Sequence, residues 1–280
     1  MRSLLPVLLL AACAPMQATH EAAPATPAAA AMAPVPELKP GVPAGYLGKS
    51  LPDSLALLPP PPAAGTAGFA NDVAVSRASQ TLVDTPRYAL AASDADLTPA
   101  HAVHAFECAL GVPITQAQAP RTLLLLKRTM VDAGLGTYGA KNHYNRMRPF
   151  VHFQEATCFP ADEAALRKDG SYPSGHTAIG WAWALVLAEV APDHTDALLR
   201  RGRAFGESRL VCNAHWQSDI LQGRAIASGV VARLHADAVF RDDVAAARDE
   251  IDALRRQGAT PTTDCAAEAA AIEIRIPGVQ

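Results

Sequence analysis

Three short stretches of this chain carry side chains that could act on one group. The first is "PSGH", residues 173–176, at the head of the apolar run "GSYPSGHTAIGWAWALVLAEVA" (170–191). Ser174 suits an N-cap, where its oxygen meets an amide that the first helical turn leaves unpaired. A plain helix start would explain that much. An uncovered helix N-terminus also attracts anions, and Ser174 and Gly175 are small enough to let a phosphate reach the amides. His176 could then give that phosphate a proton or take one.

The second stretch is "KNHYNRMRP" (141–149). Lys141 and Arg148 are spaced by about two helical turns, so a continuous helix would put both on one face and rotate Arg146 away. The third is "SRLVCNAHWQSD" (208–219), with Arg209 and then His215 and Asp219 at the i, i+4 spacing. A helix starting at His215 would let the carboxylate reach the imidazole, fix its tautomer and leave the other nitrogen free as a base or nucleophile. Taken singly, a solvated basic face and a capping pair account for these residues. Taken together they fit phosphoryl chemistry. Lys141, Arg148 and Arg209 would cradle a dianion, with the arginine forks matching two oxygens at once. His215 would attack phosphorus and His176 would protonate the departing alkoxide. The sequence offers no carboxylate cluster for a divalent metal, so the cations would be side chains.

The elements that must position these residues read as helices. Thr98 and Pro99 open a segment expected to run as helix to Gly111. Residues 65–83, 86–93, 115–134, a short helix over 138–150 broken at Pro149, the opening run, 195–210, 215–240 and 241–257 complete the series, the last as a solvated amphipathic helix. The proline block at 59–62 must be a loop or an extended packing segment. No segment alternates convincingly as a strand, so the expected fold is all-α, in one domain.

The chain has 280 residues and a formal charge of −3, with no basic stripe or Arg/Lys tail, which argues against nucleic acid as a partner. Residues 1–12 read as a secretory signal too short to span a bilayer permanently. Leu10-Ala11-Ala12-Cys13 resembles a lipobox, with Cys13 as the lipidated residue. An ordinary signal peptide with an incidental cysteine is the alternative. The Ala/Pro-rich stretch 13–45 has no hydrophobic period and reads as an extended tether. A folded domain over 46–260 and a C-terminal tail over 261–280 follow. Cys108, Cys158, Cys212 and Cys265 are an even set, which in an exported chain suggests two disulfides; small buried hydrophobes are the alternative.

The three stretches fit K-x6-R-P, P-S-G-H and S-R-x5-H-x3-D. In this the chain resembles the type 2 phosphatidic acid phosphatase and vanadium haloperoxidase superfamily. "SLALLPPPP", "DGSYPSGH", "IGWAWALVLAE" and "HWQSD" look like the bacterial class A non-specific acid phosphatases, over roughly residues 50–240. The resemblance implies a single compact helical bundle and metal-independent hydrolysis of many small phosphate monoesters without a cofactor. It implies phosphate binding by Lys141, Arg148, Ser174, Gly175 and Arg209, a phosphohistidine on His215 oriented by Asp219, and His176 as the acid. The loops after Arg148 and Arg209 must then both reach the phosphate, which implies Cys158–Cys212 and leaves Cys108 for Cys265. The implied location is the periplasm, tethered to the outer membrane through Cys13, with the oligomeric state left open. A membrane lipid phosphatase would need several spanning helices, and a haloperoxidase shares only the motifs. A non-catalytic lipoprotein would have no need of all the motif residues.

Overall fold

The computed structural model of the protein describes residues 34–279. The signal segment, Cys13 and the tether up to residue 33 lie outside them. A short antiparallel hairpin, β1 (Glu37–Lys39) and β2 (Val42–Pro43), turns at Pro40-Gly41, where Gly41 takes φ +77°. Ala44 N–H donates to the Pro36 carbonyl at 2.7 Å, so ordered backbone begins within the stretch read as tether. Composition alone could not show this, because the hairpin is pinned by tertiary contacts. Asp132 accepts from the amides of Tyr46 and Leu47, and Arg128 Nε donates to the Ala44 carbonyl.

The rest is helical. In chain order the helices are α1 (Ser54–Leu57), α2 (Ala67–Ser79), α3 (Pro86–Ala95), α4 (Pro99–Ala102), α5 (Glu107–Leu110) and α6 (Pro120–Leu135). Then come α7 (Tyr138–Tyr144), α8 (Pro149–His152), α9 (Glu163–Leu166) and α10 (Gly175–Val190). The last are α11 (Thr195–Val211), α12 (Gln217–Leu234), α13 (Ala238–Arg256) and α14 (Cys265–Glu273). The all-α class holds. The helix expected over 98–111 is instead α4, a 3₁₀ turn (Val103–Phe106) and α5, ended by Gly111 at φ +82°. The run 215–240 breaks between α12 and α13, where Asp237 caps the new helix by accepting from Phe240 N–H at 2.9 Å.

Helix α10 is the hub. It is apolar on nearly every side, and it is buried on nearly every side, with α6, α11, α12 and α13 packed around it. Trp183, fully buried, gives its indole N–H to the Leu126 carbonyl at 2.8 Å. Helix α13 buries Phe240, Val244, Ala247, Ile251 and Leu254 at helical spacing, as an amphipathic helix should. At Gly223 a side chain would not fit, since a Cβ there would lie 2.7 Å from the Ser174 carbonyl oxygen. This glycine lets α12 seat directly against the start of α10.

Residues 262–276 of the C-terminal segment pack against the helices before them. Thr262 N–H and Oγ1 donate to Glu107, α14 lies on α3, and Ile276 packs with Val75 and Leu82. Cys108–Cys265 and Cys158–Cys212 both form. Among the described residues no helix is long and apolar enough to cross a membrane.

Candidate active site

Ser174 caps α10, accepting from Thr177 N–H at 3.3 Å and from Thr177 Oγ1 at 2.9 Å. Its own N–H donates to the Asp219 carbonyl at 3.0 Å, tying PSGH to the third stretch. The second stretch reaches the same place by a different route from the one its spacing suggests. Helix α7 ends at Tyr144, Asn145 adopts φ +38°, and Arg148 becomes the residue before α8. Lys141 and Arg148 therefore do not share a helical face. The chain reverses between them and brings both beside Gly170, whose carbonyl accepts from Lys141 Nζ at 2.7 Å and Arg148 Nη2 at 3.2 Å.

His215 stands at the centre, 2% exposed. Its helix starts later than expected, at Gln217, yet Nδ1 still lies 3.3 Å from Asp219 Oδ2 across the helix start. The same oxygen accepts from Trp216 N–H at 2.8 Å, so Asp219 caps α12 as well as facing the ring. On the other side Arg148 Nη1 lies 2.9 Å from His215 Nε2. A guanidinium can only donate, so Nε2 is the lone-pair nitrogen and Nδ1–H points to Asp219. Burial, and then Arg148, Lys141 and Arg209, hold this imidazole well below its ordinary pKa. It is a neutral base with its free pair fixed on one nitrogen.

Three buried cations surround it. Lys141, Arg148 and Arg209 are 3%, 2% and 1% exposed. Burial, and then Arg148, push Lys141 down to about 8 and Arg209 down to about 9. Arg209 Nε and Nη1 are buried with no hydrogen-bond acceptor, an expensive arrangement unless an anion completes it. His176 is part-buried, and its Nε2 donates to the Ala95 carbonyl at the end of α3, 3.0 Å away. Burial, and then Arg209, depress its pKa well below the ordinary value. Behind the site, Ser208 Oγ donates to Asp94 at 2.6 Å and Asp94 pairs with buried Arg201, which locks α3 to α11. The Cys158–Cys212 disulfide joins the loops that follow Arg148 and Arg209.

Two residues here were not foreseen. Arg146 is not rotated away: it bonds Asp219 Oδ1 at 2.6 Å through Nη1 and Asp72 Oδ2 at 2.7 Å through Nη2. Asp72 on α2, 1% exposed, also accepts from Ser218 N–H and Oγ. The turn at Asn145 hid Arg146 from any periodicity argument. The only signal for Asp72 was a lone carboxylate in the apolar segment "FANDVAV". Among the described residues no group of three or more His, Cys, Asp or Glu converges as metal ligands.

Chemically, the cluster is a cation-lined anion site holding one oriented imidazole and a second imidazole nearby. Comparison with known proteins defines its class: residues 122–242 match the PAP2 superfamily. The non-specific acid phosphatase of Providencia stuartii is 48% identical over 205 residues, which span 73% of this chain and 83% of that protein. The acid phosphatase of Zymomonas mobilis is 44% identical over 75% of this chain and 79% of its own. The non-specific acid phosphatase of Salmonella typhimurium is 40% identical over 70% of this chain and 78% of its own. The chain belongs to the PAP2 superfamily, in its branch of bacterial class A acid phosphatases.

Removing Arg146 leaves two buried carboxylates, Asp219 and Asp72, without their cation. Arg146→Ala is therefore expected to destabilise the fold by about 3–5 kcal/mol, the usual cost of breaking a buried ion pair from one side. Denaturant unfolding measures it, and a loss below about 1 kcal/mol would mean that these carboxylates find other partners.

Proposed function

We propose that this protein is an exported acid phosphatase that hydrolyses phosphate monoesters through a phosphohistidine on His215, without a metal. The observation that carries the reading is the pair of contacts that fixes the His215 tautomer, Arg148 on Nε2 and Asp219 on Nδ1. The names of the relatives support the phosphatase part.

The Nε2 lone pair attacks phosphorus in line as the P–O bond to the leaving group breaks. Arg148, Lys141 and Arg209 hold the non-bridging oxygens, and the Gly175 amide at the start of α10 adds a donor there. His176, charged once the dianion offsets its cationic surroundings, gives its proton to the departing oxygen. With Nε2–H held by the Ala95 carbonyl, Nδ1 is the nitrogen that gains and loses the mobile proton. In the second half water attacks phosphorus, neutral His176 takes the water proton, and the P–N pair returns to His215. Asp219 supports the imidazolium character that the first half develops. A mostly apolar cavity of about 420 Å³ is lined by Leu97, Tyr138 and Ile179 among others, and Tyr138 feels the charges of Asp169 and Arg148.

His215→Ala should abolish turnover of p-nitrophenyl phosphate, and a rapid quench without acid should trap labelled phosphate on the wild-type peptide containing His215. His176→Ala should slow alkyl phosphates by roughly 10²- to 10⁴-fold and p-nitrophenyl phosphate far less, because that leaving group needs little protonation. Chelators should leave wild-type rates unchanged. Label on Ser174, or bromide oxidation in place of ester hydrolysis, would overturn the assignment.

The depressed groups fix the direction of the pH dependence. With its pKa depressed, His215 stays unprotonated into the acid range, so the acid side is tolerated. In the free enzyme His176 is already neutral near neutral pH, so kcat/KM should decline from the acid range upward. Above about 8 the free enzyme also loses the Lys141 charge and with it affinity for the dianion, so the decline should steepen there while kcat, which reports the loaded site, holds further. Lys141→Arg should remove the steepening, and an unchanged profile above about pH 8 would place that titration elsewhere.

Export and anchoring are proposed from the signal segment, from Cys13 and from the two disulfides, which belong to an oxidising compartment. Cys13→Ala should move the protein from the membrane fraction to the soluble periplasmic fraction. Soluble wild-type protein would refute the anchor.

A further inference from the structure

Arg148 has no hydrogen left to give. Nε donates to the carbonyls of Leu166 and Asp169, both at 3.0 Å. Nη1 donates to the Ala214 carbonyl at 3.1 Å and to His215 Nε2 at 2.9 Å. Nη2 donates to Asp169 Oδ2 and the Gly170 carbonyl, both at 3.2 Å. Lys141 Nζ is shared in the same way, between the Gly170 carbonyl at 2.7 Å and Asp169 Oδ2 at 3.5 Å. Arg209 is the opposite case, with two buried N–H-bearing nitrogens that lack an acceptor. A phosphate can therefore meet Arg209 directly, but it can take a hydrogen from Arg148 only by displacing an acceptor.

Most of those acceptors cannot leave. Gly170 is wedged so tightly that a Cβ on it would lie 2.9 Å from both Asn145 Cα and the Lys141 carbonyl oxygen. Ser171 N–H anchors the next residue on the Arg146 carbonyl at 2.8 Å. His215 Nε2 is the attacking atom and gives up its contact only as the bond to phosphorus forms. The carboxylate of Asp169 differs from all of these. It is a side chain, 35% exposed, at the mouth of the site, and a rotation about its own bonds takes it into water.

We propose that Asp169 is an exchangeable counter-anion: its carboxylate neutralises Arg148 and Lys141 in the free enzyme, yields them to the substrate phosphate, and reclaims them as product leaves. The proposal rests on the phosphatase reading above and adds a determinant of affinity to it. No bond to phosphorus involves Asp169. Its effect is competitive, because one carboxylate and one phosphate oxygen need the same two donors. An internal competitor of this kind weakens the binding of inorganic phosphate, the product, and so speeds its release.

Asp169→Asn keeps the size and removes the charge. Competitive inhibition by inorganic phosphate should tighten, with Ki falling roughly two- to fivefold, the range for a partly exposed charge pair. KM for p-nitrophenyl phosphate should fall with it. A Ki that stays the same or rises would overturn the proposal, because a merely structural carboxylate loosens the cradle when removed. Asp169→Glu, which retains the charge, should keep Ki near the wild-type value and serves where the asparagine variant fails to fold. Calorimetric titration of inorganic phosphate into wild type and variant reads the same exchange without turnover. An enzyme that binds phosphate in the expected order yet hydrolyses no ester would sink the function and leave this inference standing. A vanadate-bound crystal structure gives an independent reading. Asp169 Oδ2 should have left Arg148 Nη2, and its retention beside a bound oxyanion would refute the exchange.

Discussion

Three cations are buried against a neutral imidazole, and the rest of the structure depends on making that arrangement tolerable. Removing an ammonium or guanidinium from water costs several kcal/mol even after relaxation. Mutual repulsion adds to it, as the lowered pKa values of Lys141 and Arg209 record. The fold answers with fixed dipoles more than with charges. The carbonyls of Gly170, Leu166, Asp169 and Ala214 accept from Arg148 and Lys141. Arg209 receives the least compensation, and its unmet hydrogens are where an incoming anion gains most. Binding strength is stored as a debt left open at one residue.

Carbonyls can do this only if the loops that carry them are rigid, and the loops are rigid because of what lies under them. Helix α10 is held by α6, α11, α12 and α13, and its first turn is fixed by the Ser174–Asp219 backbone bond and by the close seat at Gly223. Arg146 and Asp72 extend the same lock to α2, and the Asp94–Arg201–Ser208 cluster extends it to α3, whose last carbonyl holds His176. These are buried ion pairs whose net stabilisation is modest, but they fix the position of a carboxylate or a ring. In this site position is what matters.

The motif residues were legible because phosphoryl transfer demands particular side chains at short, countable separations. PSGH, the i, i+4 pair His215 and Asp219, and the three cations do meet. What failed was the inference that spacing implies a shared helix. Lys141 and Arg148 meet through a left-handed Asn145, and a single residue of that kind leaves no period to read. The hairpin over residues 37–43 and helix α14 were missed for a related reason. Each is stabilised by partners far away in the chain, Asp132 and Arg128 for the region of the hairpin, Glu107 and Cys108 for the C-terminal segment. Asp169 was read only as part of a family-like string. Its significance lies in which hydrogens of Arg148 are already taken, and a sequence does not carry that information.

The charge balance of the buried cluster connects these points. Lys141, Arg146, Arg148 and Arg209 face Asp72, Asp169 and Asp219, four cations against three carboxylates. One net positive charge attracts an anion, but a bound dianion would overshoot to one net negative charge. If Asp169 turns outward as the phosphate enters, its charge is screened by water and the overshoot largely disappears. A proton on His176 then becomes easier to hold, since the field that depressed its pKa, led after burial by Arg209, is opposed by the phosphate beside it. The site thus disfavours a charged His176 until there is a leaving group to receive the proton. In the proposed mechanism His215 becomes bonded to phosphorus, and Arg148 Nη1 would then lose its acceptor on Nε2 and be free to follow the phosphate oxygens. One hydrogen of Arg148 would on that mechanism serve in turn to select the nucleophile's tautomer and to hold the group that the nucleophile has captured.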